Sequence, residues 1–459
     1  MTSLALSRIA EMTGGRLTGA DPGRMVSRIS ADSRDSGPGT LFFALIGEKT
    51  DGHVFARRAV AAGAAGVVRA DWFEASGRPE GAFLLTEDPL AALGRLGAAW
   101  RSQFEIPVVG ITGSMGKTTT REMLASALRS RMNVLVSPAN FNTEIGVPIT
   151  LLDLTPSHDI AVIEMAMRGK GQIADLCRMA RPSGAVVTNV GLTHIELLGS
   201  RDAIASAKAE LLKSLPDGGW AVLNADDAYF DYLSGIAPGP AVTFGLSEGA
   251  QFRGSDVRLN SAGCASFLLE APGAAHRVQL RAPGAFHASN ALAAAAAASR
   301  FGVTLEETVA ALEAYEGFEK RSRVTQAAGG WLVFDDTYNA SPAATEGALD
   351  SLAAMTAAGR RIAVLGDMRE LGEQSSELHR QIGHKVAEVR PDLLVTVGES
   401  SAAIDESALA AGYGGPVEHF AASKEAAEFA AALVRPGDVV LVKGSRALEM
   451  ERIVERLLE

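Results

Sequence analysis

Residues 107–120 read PVVGITGSMGKTTT, a short apolar run that leads into a glycine-rich stretch and then into a helical pattern. Gly110, Gly116, Lys117 and Thr118 have the spacing G-x-x-x-x-x-G-K-[ST], one residue longer than the phosphate-loop pattern G-x-x-x-x-G-K-[ST], with Gly113 in between. In such a loop the backbone N–H groups surround phosphate groups, the lysine reaches the terminal phosphates and the hydroxyl binds Mg²⁺. A glycine turn that merely precedes a lysine is the alternative, but the strand before and the helix after favour a phosphate loop. The segment therefore predicts a nucleotide-binding domain.

The chain on both sides of this loop has the alternating pattern of an α/β protein. The runs DIAVIEM, GAVVTNVG and WAVLNADD follow it, which predicts a mostly parallel sheet with helices on both faces and ligands at the carboxyl ends of the strands. Residues 250–283 predict a small antiparallel excursion, and WLVFDD, RIAVLGDM, LLVTVG and DVVLVKG predict a second α/β unit. We therefore expect three domains: an N-terminal mixed α/β domain over 1–105, a central phosphate-loop domain over 106–314, and a C-terminal Rossmann-like α/β domain over 315–459.

Composition and charge exclude several classes of protein. The 459 residues are 47% apolar without a long uninterrupted apolar segment, so we expect no membrane insertion. The net charge of -11 argues against a nucleic-acid partner. The N-terminus MTSLALSRIAEMTGG lacks an apolar signal core, which predicts a cytoplasmic protein. Cys177 and Cys264 suit a reducing compartment as packing residues, and a monomer is the default expectation.

Polar residues follow two strands of the expected central sheet. Glu164 ends the run IAVIE and would face the phosphate loop across a neighbouring strand end, which makes it a candidate Mg²⁺ ligand; an ordinary boundary carboxylate is the alternative. His194 follows AVVTNVG and would share that edge, so the two suggest a second metal, although a loop histidine is more often a surface residue. Lys208, within DAIASAKAELLKSL, by itself predicts a solvated helix lysine.

Several ordered segments resemble the ATP-binding domain of the Mur ligases. They are TGSMGKTTT, NFNTEIGVPITLL from Asn140, IEMAM, VTNVGLTHIELLGS and the lysine of AKAEL. VFDDTYNASP from Val333, VLGDMRELGEQSSELH from Val364 and VKGSRALEME from Val442 are similar to the C-terminal domain of the members that add a D-alanyl-D-alanine dipeptide. ADSRDSGPGTLFFALIGEKTDGHVFARRA resembles the uridine-nucleotide domain of the family. The resemblance spans essentially the whole chain.

The resemblance implies an ATP-dependent amide ligase of peptidoglycan precursor synthesis. Its small-molecule substrates would be UDP-N-acetylmuramoyl-tripeptide (UDP-MurNAc-tripeptide) and D-Ala-D-Ala, joined through an acyl phosphate. ATP and two Mg²⁺ ions are the implied cofactors, with Thr118 and Glu164 on the first ion. In the family the lysine matching Lys208 is carbamylated by CO₂ and serves the second ion with the histidine matching His194. A carbamate would turn a cation into an anionic oxygen ligand suited to a hard divalent ion.

The resemblance also implies a role for each remaining site residue. Asn290 matches the approach to the adenine, while Arg321 and Asp336 would reach the phosphates and the ribose. The implied catalytic residues are Lys117, Glu164, His194 and Lys208. The implied ATP-binding residues are Thr112, Gly113, Ser114, Met115, Gly116, Lys117, Thr118, Thr119, Asn290, Arg321 and Asp336. The residues matching the UDP side are Ser33, Arg34, Asp51, Gly52 and His53, with turn stabilisation as the alternative for Asp51 and Gly52. Those on the peptide and dipeptide side are Asn142, Thr143, Tyr338 and Asn339.

Some positions depart from the family pattern. Met115 stands where many members have Asn, but the backbone cradle should persist because N–H groups do the binding. Thr143 stands where a second Asn is common, and Ser341 replaces the Asn of a YNANP-like motif, so the peptide-side contacts differ there. Phe286 and His287 stand where a His and an Asn are usual. We expect His287 to be a helix-start histidine without a role in the site.

Three other functions are alternatives. A sister ligase, such as the one that adds the third stem residue or folylpolyglutamate synthase, shares the central domain, but the segments LGDMRELG and YNASP count against both. A non-catalytic nucleotide-binding protein would not need a second metal site, so the joint presence of Lys117, Thr118, Glu164, His194 and Lys208 counts against it. A phosphate-loop kinase or ATPase would release ADP without a UDP-linked acceptor and an amine.

Overall fold

The computed structural model describes residues 3–47 and 50–459. Within those ranges the strands form a two-stranded ribbon and three larger sheets of five, nine and six strands, which follow one another along the chain. The three larger sheets match the three domains expected from the sequence, so the predicted α/β class is confirmed. No helix in the described ranges is long and apolar enough to cross a membrane.

The N-terminal sheet is mixed, as expected. The elements of this region are β1 (Leu4–Ala5), α1 (Leu6–Thr13), β2 (Arg16–Thr18), β3 (Met25–Val26), β4 (Arg28–Ser30), β5 (Thr40–Phe43), α2 (Ala56–Ala61), β6 (Ala65–Arg69), α3 (Ala70–Ala75), β7 (Phe83–Thr86) and α4 (Pro89–Arg101). The sheet order is β2-β7-β6-β5-β4, antiparallel only between β2 and β7. The runs TLFF and AGVV are buried, as parallel strands covered on both faces require.

The helix α4 joins the N-terminal region to the central one. Asp88 caps its start by accepting hydrogen bonds from the N–H groups of Leu90 (2.8 Å) and Ala91 (3.2 Å), and Pro89 occupies the first turn, where its missing N–H costs nothing. At its other end, the Trp100 indole N–H donates to the Leu154 carbonyl at 3.1 Å. The helix therefore packs on the central region before the chain enters the first central strand.

The central sheet has nine strands and contains the phosphate loop. Its elements are β8 (Val108–Thr112), α5 (Lys117–Leu128), β9 (Val134–Val136), α6 (Gly146–Leu151), β10 (Ile160–Glu164), α7 (Gln172–Ala180), β11 (Gly184–Val187), α8 (Ile195–Leu198), α9 (Arg201–Lys213), β12 (Trp220–Asn224), α10 (Phe230–Ser234), β13 (Val242–Gly245), β14 (Phe252–Leu259), β15 (Cys264–Ala271), β16 (Ala274–Pro283), α11 (Phe286–Ser299) and α12 (Leu305–Glu313).

The strand order places the loop in the middle of that sheet. The order is β16-β15-β14-β13-β12-β11-β8-β10-β9, and the pairs from β9 to β14 are parallel. The strands β14, β15 and β16 pair antiparallel, so the expected antiparallel excursion is confirmed and continues the same sheet. The strand β8 lies between β10 and β11, so the residues that follow these three strands meet at one edge.

The C-terminal sheet has six strands in the order β17-β18-β22-β19-β20-β21, of which only β17 runs antiparallel to its neighbour. Its elements are β17 (Arg323–Gln326), β18 (Leu332–Asp336), α13 (Pro342–Ala354), β19 (Arg361–Gly366), α14 (Ser375–Val389), β20 (Leu393–Val397), α15 (Ala402–Ala410), β21 (Val417–Phe420), α16 (Ser423–Leu433), β22 (Val439–Lys443) and α17 (Glu451–Leu458). Two apolar clusters, one on each face, enclose this sheet, which is the Rossmann-like arrangement that the sequence predicts.

Candidate active site

The phosphate loop connects β8 to the first turn of α5. Gly116 immediately precedes the helix with φ +80°, a left-handed conformation that glycine adopts without strain. A Cβ at Gly116 would lie 2.1 Å from Oδ1 of Asn290, and one at Gly113 would lie 1.8 Å from Oγ1 of Thr188. The loop is therefore packed so closely that only glycine fits at both positions, and its N–H groups lie at the amino end of a helix, where anions bind.

Residues that follow β11 hold the phosphate loop by hydrogen bonds. Asn189, just after β11, accepts a hydrogen bond from the Met115 N–H at 2.9 Å and donates one to the Met115 carbonyl at 3.1 Å. The Ser114 hydroxyl accepts from the N–H of Gly191 at 2.8 Å. Because the backbone of Met115 makes these contacts, its apolar side chain does not disturb the loop. Thr112 and Thr119 are buried on either side of the loop.

Lys117 turns back over the loop that carries it. Its Nζ donates to the carbonyls of Gly113 at 2.8 Å and Ser114 at 3.3 Å. Burial lowers the pKa of Lys117, with the positive charge of Arg321 adding to the effect and the carboxylate of Glu164 opposing it. Its hydrogen bonds go to neutral carbonyls, so its positive charge is available to an anion in the loop.

Glu164 ends β10 and contacts three polar side chains around the loop. Its Oε2 accepts from the Thr118 hydroxyl at 2.8 Å and lies 3.2 Å from Nη1 of Arg121, while its Oε1 accepts from the Asn142 amide at 2.7 Å. Burial raises the pKa of Glu164, but the charges of Arg121, Arg321 and Lys117 outweigh it, so that the pKa lies below its usual value. Glu164 is therefore ionised although it is fully buried.

The residues around Thr118 and Glu164 fit a hard divalent cation. A hydroxyl oxygen and a carboxylate oxygen lie 2.8 Å apart, and both are ligand types that Mg²⁺ accepts together with water and phosphate oxygens. In the described ranges, no group of three or more His, Cys, Asp or Glu side chains is placed to hold a metal. A cation here would therefore need oxygens from a nucleotide to complete its coordination.

Lys208 lies on α9 and is fully buried, so the solvated helix lysine that its local sequence predicts is wrong. Burial lowers the pKa of Lys208 well below its usual value, and the charge of Lys117 lowers it further, against a smaller opposing effect of Asp227. Within the described ranges, its amine forms no hydrogen bond or ion pair. The lowered pKa favours the neutral amine, which is the form that is nucleophilic toward CO₂.

His194 immediately precedes α8, in a left-handed conformation with φ +66°. Its Nδ1 lies 2.5 Å from a carboxylate oxygen of Glu370, which belongs to the C-terminal region. The ring is therefore held between the central and C-terminal sheets and is not an isolated loop histidine.

The C-terminal region supplies further charge to the loop. The Arg321 guanidinium stacks 3.7 Å from the ring centroid of Tyr338. Its positive charge lowers the pKa of both Lys117 and Glu164. The carboxylate of Asp336 accepts from Nζ of Lys443 at 2.5 Å and from the N–H of Ser322 at 3.0 Å. Both oxygens of Asp336 are therefore engaged within the C-terminal region, so an interaction with a ribose would share or replace these bonds.

Asn339, predicted for the peptide and dipeptide side, is exposed. Its backbone carbonyl accepts a hydrogen bond from Nζ of Lys443 at 3.0 Å. Ser341 lies next to the phosphate loop, because its hydroxyl is 3.3 Å from the Met115 sulfur. On the other side of the site, Thr143 is exposed and its carbonyl accepts from the Val147 N–H at 2.9 Å.

Asn290 and His287 lie in the first turns of α11, behind the loop. Both are buried, and the Asn290 amide lies 3.5 Å from Nδ1 of His287. Burial lowers the pKa of His287 from 6.5 to about 4, so the imidazole is neutral at physiological pH. His287 is at the start of a helix as expected, but it is part of the packing around Asn290 and Gly116.

The expected uridine-nucleotide residues occupy two short 3-10 helices of the N-terminal region. The Arg34 guanidinium is exposed and pairs with Asp32 at 2.5 Å, while Ser33 lies beside it in the same turn. Asp51 accepts from the backbone N–H of His53 at 2.9 Å and from its Nδ1 at 2.6 Å. A Cβ at Gly52 would lie 2.6 Å from the Leu45 carbonyl. Asp51, Gly52 and His53 therefore stabilise this turn.

Three family models match successive parts of the chain: "Mur ligase family, catalytic domain" at residues 25–76, "Mur ligase middle domain" at 111–298 and "Mur ligase, glutamate ligase domain" at 320–446. The chain belongs to the Mur ligase family. The resemblance seen in the sequence is thereby confirmed.

Full-length relatives of this Mur ligase share a single description. The UDP-N-acetylmuramoyl-tripeptide--D-alanyl-D-alanine ligase of Synechocystis sp. is 38% identical over 94% of this chain and 92% of its own length. The enzyme of the same name from Escherichia coli is 36% identical over 100% of this chain and 99% of its own length.

Solved structures of Mur ligases also match this chain. A crystal structure of MurF from Acinetobacter baumannii matches with a TM-score of 0.88 and 32% identity over 100% of this chain and 99% of its own. The MurF ligase of Thermotoga maritima in complex with ADP matches with a TM-score of 0.79 and 30% identity over 94% and 97%. A third-residue ligase, UDP-N-acetylmuramoyl-L-alanyl-D-glutamate--2,6-diaminopimelate ligase, shares the fold at 19% identity and a TM-score of 0.54.

Four residues of this Mur ligase site were not found from the sequence. Arg121 contacts Glu164, and Asn189 contacts the phosphate loop. Glu370 contacts His194, and Lys443 contacts Asp336. For Arg121 the available signal was a charged residue on the buried side of α5. The other three contacts join segments far apart in the chain, so no local pattern indicates them.

Proposed function

We propose that this Mur ligase joins D-Ala-D-Ala to UDP-MurNAc-tripeptide at the expense of ATP, giving UDP-MurNAc-pentapeptide, ADP and phosphate for peptidoglycan synthesis. The observation that carries the proposal is end-to-end similarity, at 36–38% identity, to ligases named for this reaction. Similarity over one domain would support only nucleotide binding, whereas similarity over all three supports the same pair of substrates. We take the enzyme to act in the cytoplasm as a monomer.

In this proposal the central region binds ATP. The backbone from Gly113 to Thr119 surrounds the phosphates, and Lys117 exchanges its carbonyl partners for phosphate oxygens. Support comes from the lysine's position over the loop and from its hydrogen bonds to neutral carbonyls. Asn290 lies against the loop glycine and would approach the adenine, while Arg321 would add positive charge from the C-terminal side.

The fit of the ligand set supports two Mg²⁺ ions. Thr118 and Glu164 would hold the first ion, and His194 with a carbamylated Lys208 would hold the second. The lowered pKa of Lys208 favours carbamate formation, since a protonated amine cannot attack CO₂. When bound, the ions supply charge neutralisation for phosphoryl transfer.

The reaction that we propose has two steps. The terminal carboxylate of the tripeptide attacks the γ-phosphate of ATP, breaking the bond to ADP and forming an acyl phosphate. The free amine of D-Ala-D-Ala then attacks the acyl carbon, releasing phosphate and forming the amide. In both steps the chain acts by positioning and by charge, with Lys117 and Arg321 facing the transferred group, and no side chain is needed as a covalent nucleophile.

The two outer regions would bind the peptide-bearing substrates. Ser33, Arg34 and the turn Asp51–His53 are proposed for the UDP moiety, with Arg34 as the exposed cation that can meet the diphosphate. Asn142, Thr143, Tyr338 and Asn339 are proposed for the peptide and dipeptide. The domain limits 1–105, 106–314 and 315–459 remain our proposal for these three functional units.

Phosphate release coupled to product mass tests this function. The protein is incubated with ATP, Mg²⁺ and UDP-MurNAc-tripeptide, with and without D-Ala-D-Ala, and the nucleotide-linked product is followed by mass spectrometry. The expected result is sustained phosphate release that requires both substrates, with a mass gain equal to one condensed dipeptide. Turnover only with a single amino acid would indicate a sister ligase, and ATP binding without turnover would indicate a binding protein.

A further inference from the structure

The contact between His194 and Glu370 joins the central region to the C-terminal region. Nδ1 of His194 lies 2.5 Å from a carboxylate oxygen of Glu370, and the two side chains are 19% and 33% exposed. His194 follows a strand of the central sheet, whereas Glu370 follows β19 of the C-terminal sheet. The pair is thus partly shielded from solvent, unlike the exposed ion pairs that contribute little to stability.

Both residues are held in unusual backbone conformations. His194 has φ +66° and Glu370 has φ +63°, in the left-handed region that non-glycine residues seldom occupy. The N–H of Glu196 lies 3.4 Å from the Glu370 carbonyl, as a backbone contact between the two loops. Such strain persists only where the surroundings fix it, and it concentrates at functional sites.

Apolar packing holds the two loops together on either side of the ion pair. Leu192 packs against the core of the central region and also against the core of the C-terminal region. Leu371, next to Glu370, is buried in the C-terminal core. The position of the Glu370 carboxylate relative to His194 is therefore set by how the two regions dock, not by the flexible reach of either side chain.

The geometry assigns different tasks to the two ring nitrogens. Nδ1 lies against the carboxylate as an ion-pair contact at 2.5 Å that does not form a hydrogen bond, so Nε2 is the nitrogen left for a cation. A carboxylate behind a metal-binding histidine fixes the tautomer and raises the basicity of the free nitrogen.

We propose that Glu370 is a positioning residue that the C-terminal region supplies to His194, so that Nε2 of His194 is directed into the second cation site only when the two regions are docked. This inference rests on the proposed function, because it assumes that His194 is a cation ligand. It adds that the cation site of the central region is completed by a residue of another region. Cation binding and docking of the C-terminal region are then coupled, and each strengthens the other.

Direct cation binding tests this inference without relying on turnover. Mn²⁺ replaces Mg²⁺ as a paramagnetic probe, and its binding to the full-length protein with a non-hydrolysable ATP analogue is titrated by electron paramagnetic resonance. Glu370→Ala is expected to weaken the second Mn²⁺ by about 10-fold or more and to leave the first unchanged. Glu370→Gln, which keeps an oxygen acceptor but no charge, is expected to show a smaller loss.

Two further variants isolate the role of the pair. Glu373→Gln removes the same charge from an exposed residue of the same loop and should bind both ions as the wild type does. In a His194→Ala background, Glu370→Ala should weaken the second ion no further, because a residue that acts through His194 has nothing left to position. A merely structural role for Glu370 would weaken both ions or would add to the effect of His194→Ala.

The outcomes separate this inference from the proposed function. If the wild type joined its substrates but Glu370→Ala and Glu370→Gln bound the second Mn²⁺ as tightly as the wild type, Glu370 would have no positioning role and the ligase would stand. If the wild type bound a single Mn²⁺, the inference would be wrong together with the second cation site. Wild-type protein without ligase turnover would instead overturn the proposed function.

Discussion

The phosphate loop and the N-terminal turn at Asp51–His53 use similar residue types in different ways. In the loop, the ammonium of Lys117 bonds to carbonyls of its own loop, and Gly116 brings the backbone against Asn290. In the turn, both ring nitrogens of His53 are used, since Nδ1 lies 2.6 Å from Asp51 and Nε2 accepts from the Arg69 N–H at 3.0 Å. The loop therefore keeps its charge for a ligand, whereas the turn uses its polar groups to hold the backbone.

This difference explains why one motif can be interpreted from sequence and the other is ambiguous. A phosphate loop is defined by backbone geometry, which the glycine and lysine spacing specifies locally. An Asp-Gly-His turn has the same letters whether its side chains contact a uridine nucleotide or one another. Substitutions in the two segments should therefore have different effects: the loop variants should lose activity, and the turn variants should lose stability.

The largest expected effect is that of Lys117→Met. Removing the ammonium should lower kcat by about 10³-fold, since a preorganised charge on a transferring phosphoryl group contributes on that scale. The free energy of unfolding should stay the same or rise, because the folded state no longer carries a partly buried cation whose pKa burial lowers. Steady-state phosphate release and urea unfolding measure the two quantities.

The matched control is Lys213→Met, on an exposed lysine of α9, which should leave both quantities near the wild-type values. A kcat for Lys117→Met within tenfold of the wild type would contradict the role of the loop lysine. A large loss of stability would show that its bonds to Gly113 and Ser114 are structural, and the contrast with the turn would fail.

The second prediction compares two glycines. Gly116→Ala would place a Cβ 2.1 Å from Oδ1 of Asn290 at φ +80°, so it should raise the KM for ATP by about 10-fold to 100-fold through a strain of about 1–3 kcal/mol. Gly52→Ala would place a Cβ 2.6 Å from the Leu45 carbonyl, so it should lower the free energy of unfolding by about 1–3 kcal/mol. It should leave the KM for ATP unchanged.

Gly171→Ala is the control for backbone strain alone. Gly171 has φ +86°, but a Cβ there would have no neighbour within 4 Å, so this variant should change stability slightly and ATP binding not at all. If Gly116→Ala and Gly171→Ala had the same KM for ATP, close packing in the loop would be irrelevant to nucleotide binding.

Much of the fold could be predicted from the sequence because its signals are local. The apolar runs that end in Thr112, Glu164 and Asp336 became buried parallel strands, and the change to an antiparallel pattern near residue 250 was also visible. The proximity of Glu164 and Thr118 is also predictable, since Glu164 ends β10 and Thr118 follows the adjacent strand β8.

What the sequence did not predict depends on contacts between distant segments. The burial of Lys208 follows from packing of α9 against the sheet, while its own helix sequence looks solvated. The pairing of Lys443 with Asp336 and of Glu370 with His194 joins residues separated by more than a hundred positions. Local propensity carries no signal for such pairs, and the charge of each residue alone was equally consistent with a solvated surface.

The third prediction concerns a histidine behind the phosphate loop. Burial lowers the pKa of His287 from 6.5 to about 4, so the folded state resists a proton that the unfolded state takes up. The stabilisation is complete above about pH 6.5 and is lost as the pH falls toward 4. Over that window it corresponds to about 3 kcal/mol at about 1.4 kcal/mol per pH unit. Urea unfolding at successive pH values measures it.

His287→Phe keeps an aromatic ring beside Phe286 and Tyr315 and removes the titrating group, so its stability should fall less steeply between pH 6.5 and 4. His384→Gln, on an exposed histidine of α14, should follow the wild type. Parallel pH profiles for His287→Phe and the wild type would show that the loss of stability in acid arises elsewhere.

The smallest expected effect is that of Arg34→Ala, and it limits how far the contrast between loop and turn extends. The Arg34 guanidinium is 82% exposed and pairs with Asp32 of its own turn, where it lowers the pKa of that carboxyl to about 2. An exposed pair of this kind adds little to stability, so unfolding should be unchanged. If Arg34 meets the diphosphate of the UDP-linked substrate, the KM for that substrate should rise by about threefold to tenfold, with the KM for ATP and kcat unaltered.

Arg78→Ala, at an exposed arginine paired with Glu74 in the same region, provides the reference. Equal KM values for the two variants would mean that the N-terminal 3-10 helices are structural throughout, and that the UDP moiety is bound by other residues of this region.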